Sequence, residues 1–128
     1  MGSGANILLV EDDAAIRESV ADCLVFEGYR VRSASNGRDG LDLLRREKPA
    51  VVVLDLLMPV LGGAQFLEEQ RRDPEIAGVP VVLMTAAMPS GRNDIPQATA
   101  YLPKPFDLAD LLAVVARFAG PGGAGKPA

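Results

Sequence analysis

The chain has 128 residues, 48% of them hydrophobic and 23% charged, enough for one domain with a buried core and too few for two. Its net charge is −4 and no basic cluster is longer than the pairs Arg45-Arg46 and Arg71-Arg72, so direct contact with nucleic acid or with an anionic membrane is not expected. With no histidine and a single cysteine, Cys23, the chain itself excludes His-based zinc sites, Ser-His-Asp triads, phosphohistidine and an internal disulfide.

In chain order, residues 1–5 carry Gly2-Ser3-Gly4 and read as a disordered N-terminus or tag remnant. Residues 6–119 are expected to form the domain. A short apolar run at 7–10 predicts a first strand, and Asp13 is the N-cap candidate of a helix with Ile16, Val20, Cys23 and Leu24 inward, stopped by Gly28. A weaker strand is expected at 29–34. Ser35-Asn36-Gly37 supplies turn and cap for a second helix carrying Leu41 and Leu44, ended by Lys48-Pro49. Apolar runs at 51–54 and 79–84 predict strands buried on both faces, and a helix over 64–72 between them turns Phe66 and Leu67 inward.

Pro89, Gly91 and Pro96 interrupt the next stretch, so the crossover helix there is expected to be shortened or irregular. A short strand follows, and after a cap at Asp107 a helix over 108–118 sets Leu108, Leu111, Leu112, Val115 and Phe118 on one face. The Gly/Pro-rich residues 120–128 read as a disordered tail or linker stub. Cys23 reads as a small hydrophobe, Met58, Met84 and Met88 as packing, and the arginine pairs as solvated faces. No apolar run approaches the roughly 18 residues of a membrane-spanning helix, and MGSGANILLV lacks the pattern of a signal peptide. Membrane insertion is not expected, and a cytoplasmic location is.

The alternation of strands and helices predicts an α/β fold: a five-stranded parallel sheet, order 2-1-3-4-5, doubly wound in the flavodoxin-like manner. That order makes strands one and three neighbours, so Glu11, Asp12 and Asp55 converge at the carboxyl edge where ligands bind. Two carboxylates about 4 Å apart repel by roughly 4 kcal/mol at an effective dielectric near 20, which calls for a cation. All-oxygen ligation by few protein groups points to Mg²⁺. Thr85 and Lys104 end strands four and five. A carboxylate nucleophile at Asp55 can then take a phosphoryl group, with Lys104 and the metal neutralising its oxygens and Thr85 donating to one of them.

Five segments in order, ILLVEDD, SNGRDGLDLL, VVVLDLLMP, VVLMTAA and YLPKPF, make residues 6–118 resemble the receiver domain of two-component response regulators (CheY-like). The resemblance implies that Asp55 is the phospho-acceptor, supplied by a histidine kinase or phosphotransfer protein. It implies Glu11, Asp12, Asp55 and the Leu57 carbonyl as Mg²⁺ contacts, Lys104 as a contact to the phosphoryl group, and a cis Lys104-Pro105 peptide. Thr85 and Tyr101 would be the switch pair, although Tyr101 reads equally well as core filling. Asp13 falls past the acidic pair and is assigned to capping. Such a domain is not a conventional enzyme; it would catalyse only its own phosphorylation and slow loss of the phosphoryl group. Its output would pass through protein contacts to a downstream protein or a tethered output domain.

The sequence departs from the family pattern in the interrupted crossover, in the lack of a Gly-Ala turn before the fifth strand, and in Gly62-Gly63 where Asp-Gly is usual. Dimerisation through that crossover helix is therefore not expected. Leu57 and Ala87 stand where family members place water for hydrolysis of the acyl phosphate; neither side chain can orient water, and Ala86 leaves the approach open. A flavodoxin-like cofactor site would need a Gly- and hydroxyl-rich first loop in place of Glu11-Asp12-Asp13, and a haloacid-dehalogenase-like phosphatase a second Asp at position 57. The remaining alternative is a receiver-shaped interaction module that works independently of phosphorylation.

Overall fold

The computed structural model describes residues 5–86 and 96–120. The expectations for the termini, for Pro89 and Gly91 in the fourth crossover, and for Ala87 and Met88 lie outside these residues. Among these residues there are five strands, β1 (Asn6–Val10), β2 (Arg30–Ala34), β3 (Val51–Asp55), β4 (Val81–Thr85) and β5 (Ala100–Pro103), and four helices, α1 (Ala14–Phe26), α2 (Gly37–Arg46), α3 (Gly63–Arg72) and α4 (Leu108–Ala119), with strand and helix alternating up to β4. All strand pairs are parallel, in the order β2-β1-β3-β4-β5, as the alternation of runs predicts.

The two faces of the sheet follow from the two-residue period of the strands. Ile7, Leu9, Val51, Val53, Val82 and Met84 point to one side, where they meet Val20 and Leu24 of α1 and Leu111 and Val115 of α4. Leu8, Val10, Val52, Leu54, Val81 and Leu83 point to the other, against Leu41 and Leu44 of α2 and Phe66 and Leu67 of α3. Both faces are thus covered, which is why β1, β3 and β4 are almost uninterruptedly apolar. The Tyr29 hydroxyl donates to the Gly120 carbonyl (2.6 Å), tying the end of α4 to the start of β2.

The three predicted caps form: Asp13, Asn36 and Asp107 accept from the backbone N–H groups of Ile16, Asp39 and Asp110. Two inward assignments need correction. Ile16 is 38% and Leu108 46% exposed, because both stand in the first helical turn after a strand's carboxyl end, beyond the sheet that would cover them. Val114 takes the buried place beside Leu111 and Val115 instead. β4 begins at Val81 rather than Val79, since Pro80 has no N–H for the ladder and only its carbonyl is used, by Val52. The arginine pairs are also more than solvated faces: Arg45 bonds Asp73 and Arg71 the Gln97 carbonyl. The described part of the fourth crossover, residues 96–99, holds no helix.

Candidate functional site

The parallel sheet delivers four polar side chains to one edge. Glu11 follows β1, Asp55 ends β3, Thr85 ends β4 and Lys104 follows β5. Val10 pairs with Leu54, Asp55 with Met84, and Thr85 with Pro103, so the register alone brings these residues side by side. Glu11, Asp55 and Thr85 are 1%, 5% and 2% exposed, a depth that polar groups occupy only with partners.

Carboxylate oxygens of Glu11, Asp12 and Asp55 lie within 4.8 Å of one another. Lys104 Nζ donates to Asp55 Oδ1 at 2.9 Å and stands 3.9 Å from Glu11 Oε1. The Asp13 backbone N–H holds Glu11 Oε2 (3.1 Å), while the buried Glu11 Oε1 has no hydrogen-bond partner. Burial pushes the Glu11 carboxyl up to about 7, with the Asp55 charge adding to it and the Asp13 N–H and Lys104 opposing. Burial works against the Lys104 ammonium too, but its hydrogen bond to Asp55 and the surrounding carboxylates raise its pKa on balance.

A cavity of about 230 Å³ opens beside Asp55, lined also by Leu56, Leu57, Met84, Thr85, Ala86 and Lys104. All the predicted carboxylates, Thr85 and Lys104 are therefore brought together. The Leu57 side chain is 79% exposed at the cavity's rim. Tyr101 pairs with Leu83 on β5 and is half-buried; its hydroxyl donates to the Pro96 carbonyl (3.0 Å) and accepts from the Ala98 N–H (3.1 Å). The Lys104-Pro105 peptide is cis. The donor set fits a hard divalent cation such as Mg²⁺: only oxygens converge, and one buried carboxylate oxygen lacks any hydrogen-bond donor.

Arg17, which the sequence did not single out, belongs to the same region. Its guanidinium Nη1 donates to the carbonyls of Glu11 (2.8 Å) and Asp12 (3.3 Å). The one signal for it was a lone basic residue in the opening of the first helix, just after three acids.

Comparisons with known proteins agree with this geometry. Response regulator MprA of Mycolicibacterium vanbaalenii is 39% identical over 115 residues, a match covering 84% of this chain and 47% of that protein. The MprA protein of Mycobacterium leprae is 36% identical over the same coverage. The chain thus spans about half the length of the curated relatives it matches. Among solved structures, the receiver domain of sensor histidine kinase PA1611 from Pseudomonas aeruginosa superposes with a TM-score of 0.83 at 29% identity, covering 91% of this chain and 98% of that one, and it has a magnesium ion coordinated in its active-site cleft. Chemotaxis protein CheY4 of Vibrio cholerae gives 0.79 at 28% identity, covering 90% and 98%. The sequence profile described as response regulator receiver domain matches residues 7–116, and with the acidic cluster at the carboxyl edge of a 2-1-3-4-5 sheet the chain belongs to that family.

Proposed function

We propose that this receiver domain accepts a phosphoryl group on Asp55 from a histidine kinase or a phosphotransfer protein, with Mg²⁺, and signals through protein contacts from a cytoplasmic location. The observation that carries the reading is the Lys104–Asp55 contact of 2.9 Å inside a cluster of three carboxylates, two of them, Glu11 and Asp55, buried and the third, Asp12, exposed. An Asp55 carboxylate oxygen attacks the phosphorus of the donor's phosphoimidazole. The O–P bond forms as the N–P bond breaks, and the electron pair stays on the imidazole nitrogen, which takes up a proton.

Glu11, Asp12, Asp55 and the Leu57 carbonyl would hold Mg²⁺, which when bound neutralises charge on the phosphoryl oxygens. Lys104 offers its ammonium to the same oxygens, and Thr85 its hydroxyl. Phosphorylation adds negative charge and acceptor oxygens next to Thr85; a shift of Thr85 and of Tyr101, whose hydroxyl holds residues 96–98, would carry the change to the β5 side of the sheet. With Leu57 unable to orient water, loss of the phosphoryl group is slow. The intact cluster weighs against an interaction module independent of phosphorylation.

Intact-mass spectrometry after incubation with acetyl phosphate tests this. A Mg²⁺-dependent gain of one phosphoryl mass, absent in Asp55→Ala, is the expected result. No gain in a protein that binds Mg²⁺ overturns the reading.

A further inference from the structure

We infer that Arg17 is the positioning residue of the acidic pair: by gripping the main chain behind Glu11 and Asp12 it aims their carboxylates at a divalent cation. The inference rests on the metal reading of the site given above. Arg17 lies near the start of α1 and is half-buried, and its Nη1 reaches back to the carbonyls of both Glu11 and Asp12. Its own backbone N–H bonds the Asp13 carbonyl (2.8 Å). Side chain and main chain of one residue therefore close over the same loop.

The consequence follows from the planarity of the peptide unit. The Asp12 carbonyl and the Asp13 N–H belong to one rigid group and point in opposite directions. Arg17 holds the carbonyl end; the N–H end holds Glu11 Oε2 at 3.1 Å. A cation on the carbonyl also polarises the unit and strengthens its N–H as a donor. That N–H is the backbone donor to the Glu11 carboxylate, whose Oε1 has no hydrogen-bond partner and lies 3.9 Å from Lys104 Nζ, so turning that peptide moves the group that orients the carboxylate. The Glu11 backbone is held on the opposite side by its N–H bond to Ala34 (3.0 Å), which leaves the 12–13 peptide as the part free to turn if Arg17 is removed.

Groups that orient metal ligands from behind typically contribute 10–100-fold in affinity. The test is Mg²⁺ binding by isothermal titration calorimetry, together with the Asp13 amide resonance in ¹H–¹⁵N spectra of the metal-free protein, on wild type, Arg17→Ala and Arg17→Lys. Arg17→Ala is expected to weaken Mg²⁺ binding about tenfold and to move the Asp13 amide proton upfield as its bond to Glu11 loosens. Arg17→Lys, which keeps a cation on a side chain one bond shorter, is expected to restore part of both readouts. If Arg17→Ala does not fold, Arg17→Gln, which keeps a donor but no charge, takes its place with the same expected direction. Binding within about twofold of wild type with an unchanged Asp13 amide overturns the Arg17 assignment alone. A wild type that takes up no Mg²⁺ overturns the metal reading as well, and the wild-type titration by itself separates the two failures.

Discussion

Lys104 Nζ stands 2.9 Å from Asp55 Oδ1 and 3.9 Å from Glu11 Oε1, so one ammonium serves two buried carboxylates. Removing it leaves negative charges facing one another at a depth where water cannot screen them. Breaking a fully buried pair typically costs 3–5 kcal/mol; since the Lys104 side chain is 29% exposed, the expected loss for Lys104→Met is smaller, about 2 kcal/mol. Denaturant unfolding at pH 8 in EDTA measures it, and added Mg²⁺ should return part of the loss. Uptake of phosphoryl from acetyl phosphate should slow about 100-fold, as when a preorganised charge is taken from a reaction centre. An unchanged midpoint and rate would show that the contact is incidental.

Glu11 sets a pH dependence of the metal-free protein. Its carboxyl is raised from 4.5 to about 7, so between those pH values the folded state binds the extra proton and the unfolded state does not. Stability then falls as pH rises through this window and levels off above it. Lys104, also raised, titrates above 10.5 and contributes nothing there. Thermal melting in EDTA from pH 5 to 8 should show the decline, and saturating Mg²⁺, which binds the ionised carboxylate, should reduce it. Glu11→Gln should flatten the EDTA curve; a Gln variant as steep as wild type would assign the slope to other groups.

Much of this site was legible because strand ends in a parallel sheet are set by where apolar runs stop. Glu11, Asp55 and Thr85 each follow such a run directly, Lys104 follows the short fifth strand, and the order 2-1-3-4-5 then forces them together. What escaped the sequence depends on contacts made by the main chain. Arg17 reaches two carbonyls, which carry no residue-type signature, and the Tyr101 hydroxyl bonds the Pro96 carbonyl and the Ala98 N–H. Gln70, a polar residue of α3 that the apolar pattern does not mark, is buried, and its amide donates to the carbonyls of Ile76 and Val79. Ile16 and Leu108 fit the apolar spacing of their helices but lie past the sheet edge, a boundary that spacing does not record.

Gly62 and Gly63, adjacent and chemically identical, should respond differently to the same substitution. A Cβ on Gly63 would lie 2.8 Å from both the Asp55 carbonyl oxygen and Leu56 Cα. Those are backbone atoms of β3 and its exit, so the start of α3 would have to move away from Asp55. Gly63→Ala should cost about 2 kcal/mol, in the range of overpacked core positions, and slow phosphorylation by displacing the acceptor. On Gly62 the nearest atom, the Met58 carbonyl oxygen, is at an ordinary 3.5 Å, and Gly62→Ala should be within about 0.5 kcal/mol of wild type. Equal effects at the two positions would refute the close-approach argument.

Val60, in the loop between Asp55 and α3, has φ of 70° and is 75% exposed. The left-handed conformation costs an L-residue about 1–2 kcal/mol, and a β-branched side chain finds no packing at that exposure to offset it. Glycine removes the steric cost but adds backbone entropy to the unfolded chain, worth about 0.4–1 kcal/mol in the opposite direction. The first effect is larger, so Val60→Gly should stabilise the domain by about 0.5–1 kcal/mol. Val60→Asn, which tolerates this conformation without the full entropy of glycine, should do at least as well. Equilibrium unfolding of both variants decides the balance. If both are less stable than wild type, Val60 is making an interaction that outweighs its backbone strain, and the exposed apolar loop beside the acceptor is held by more than its own geometry.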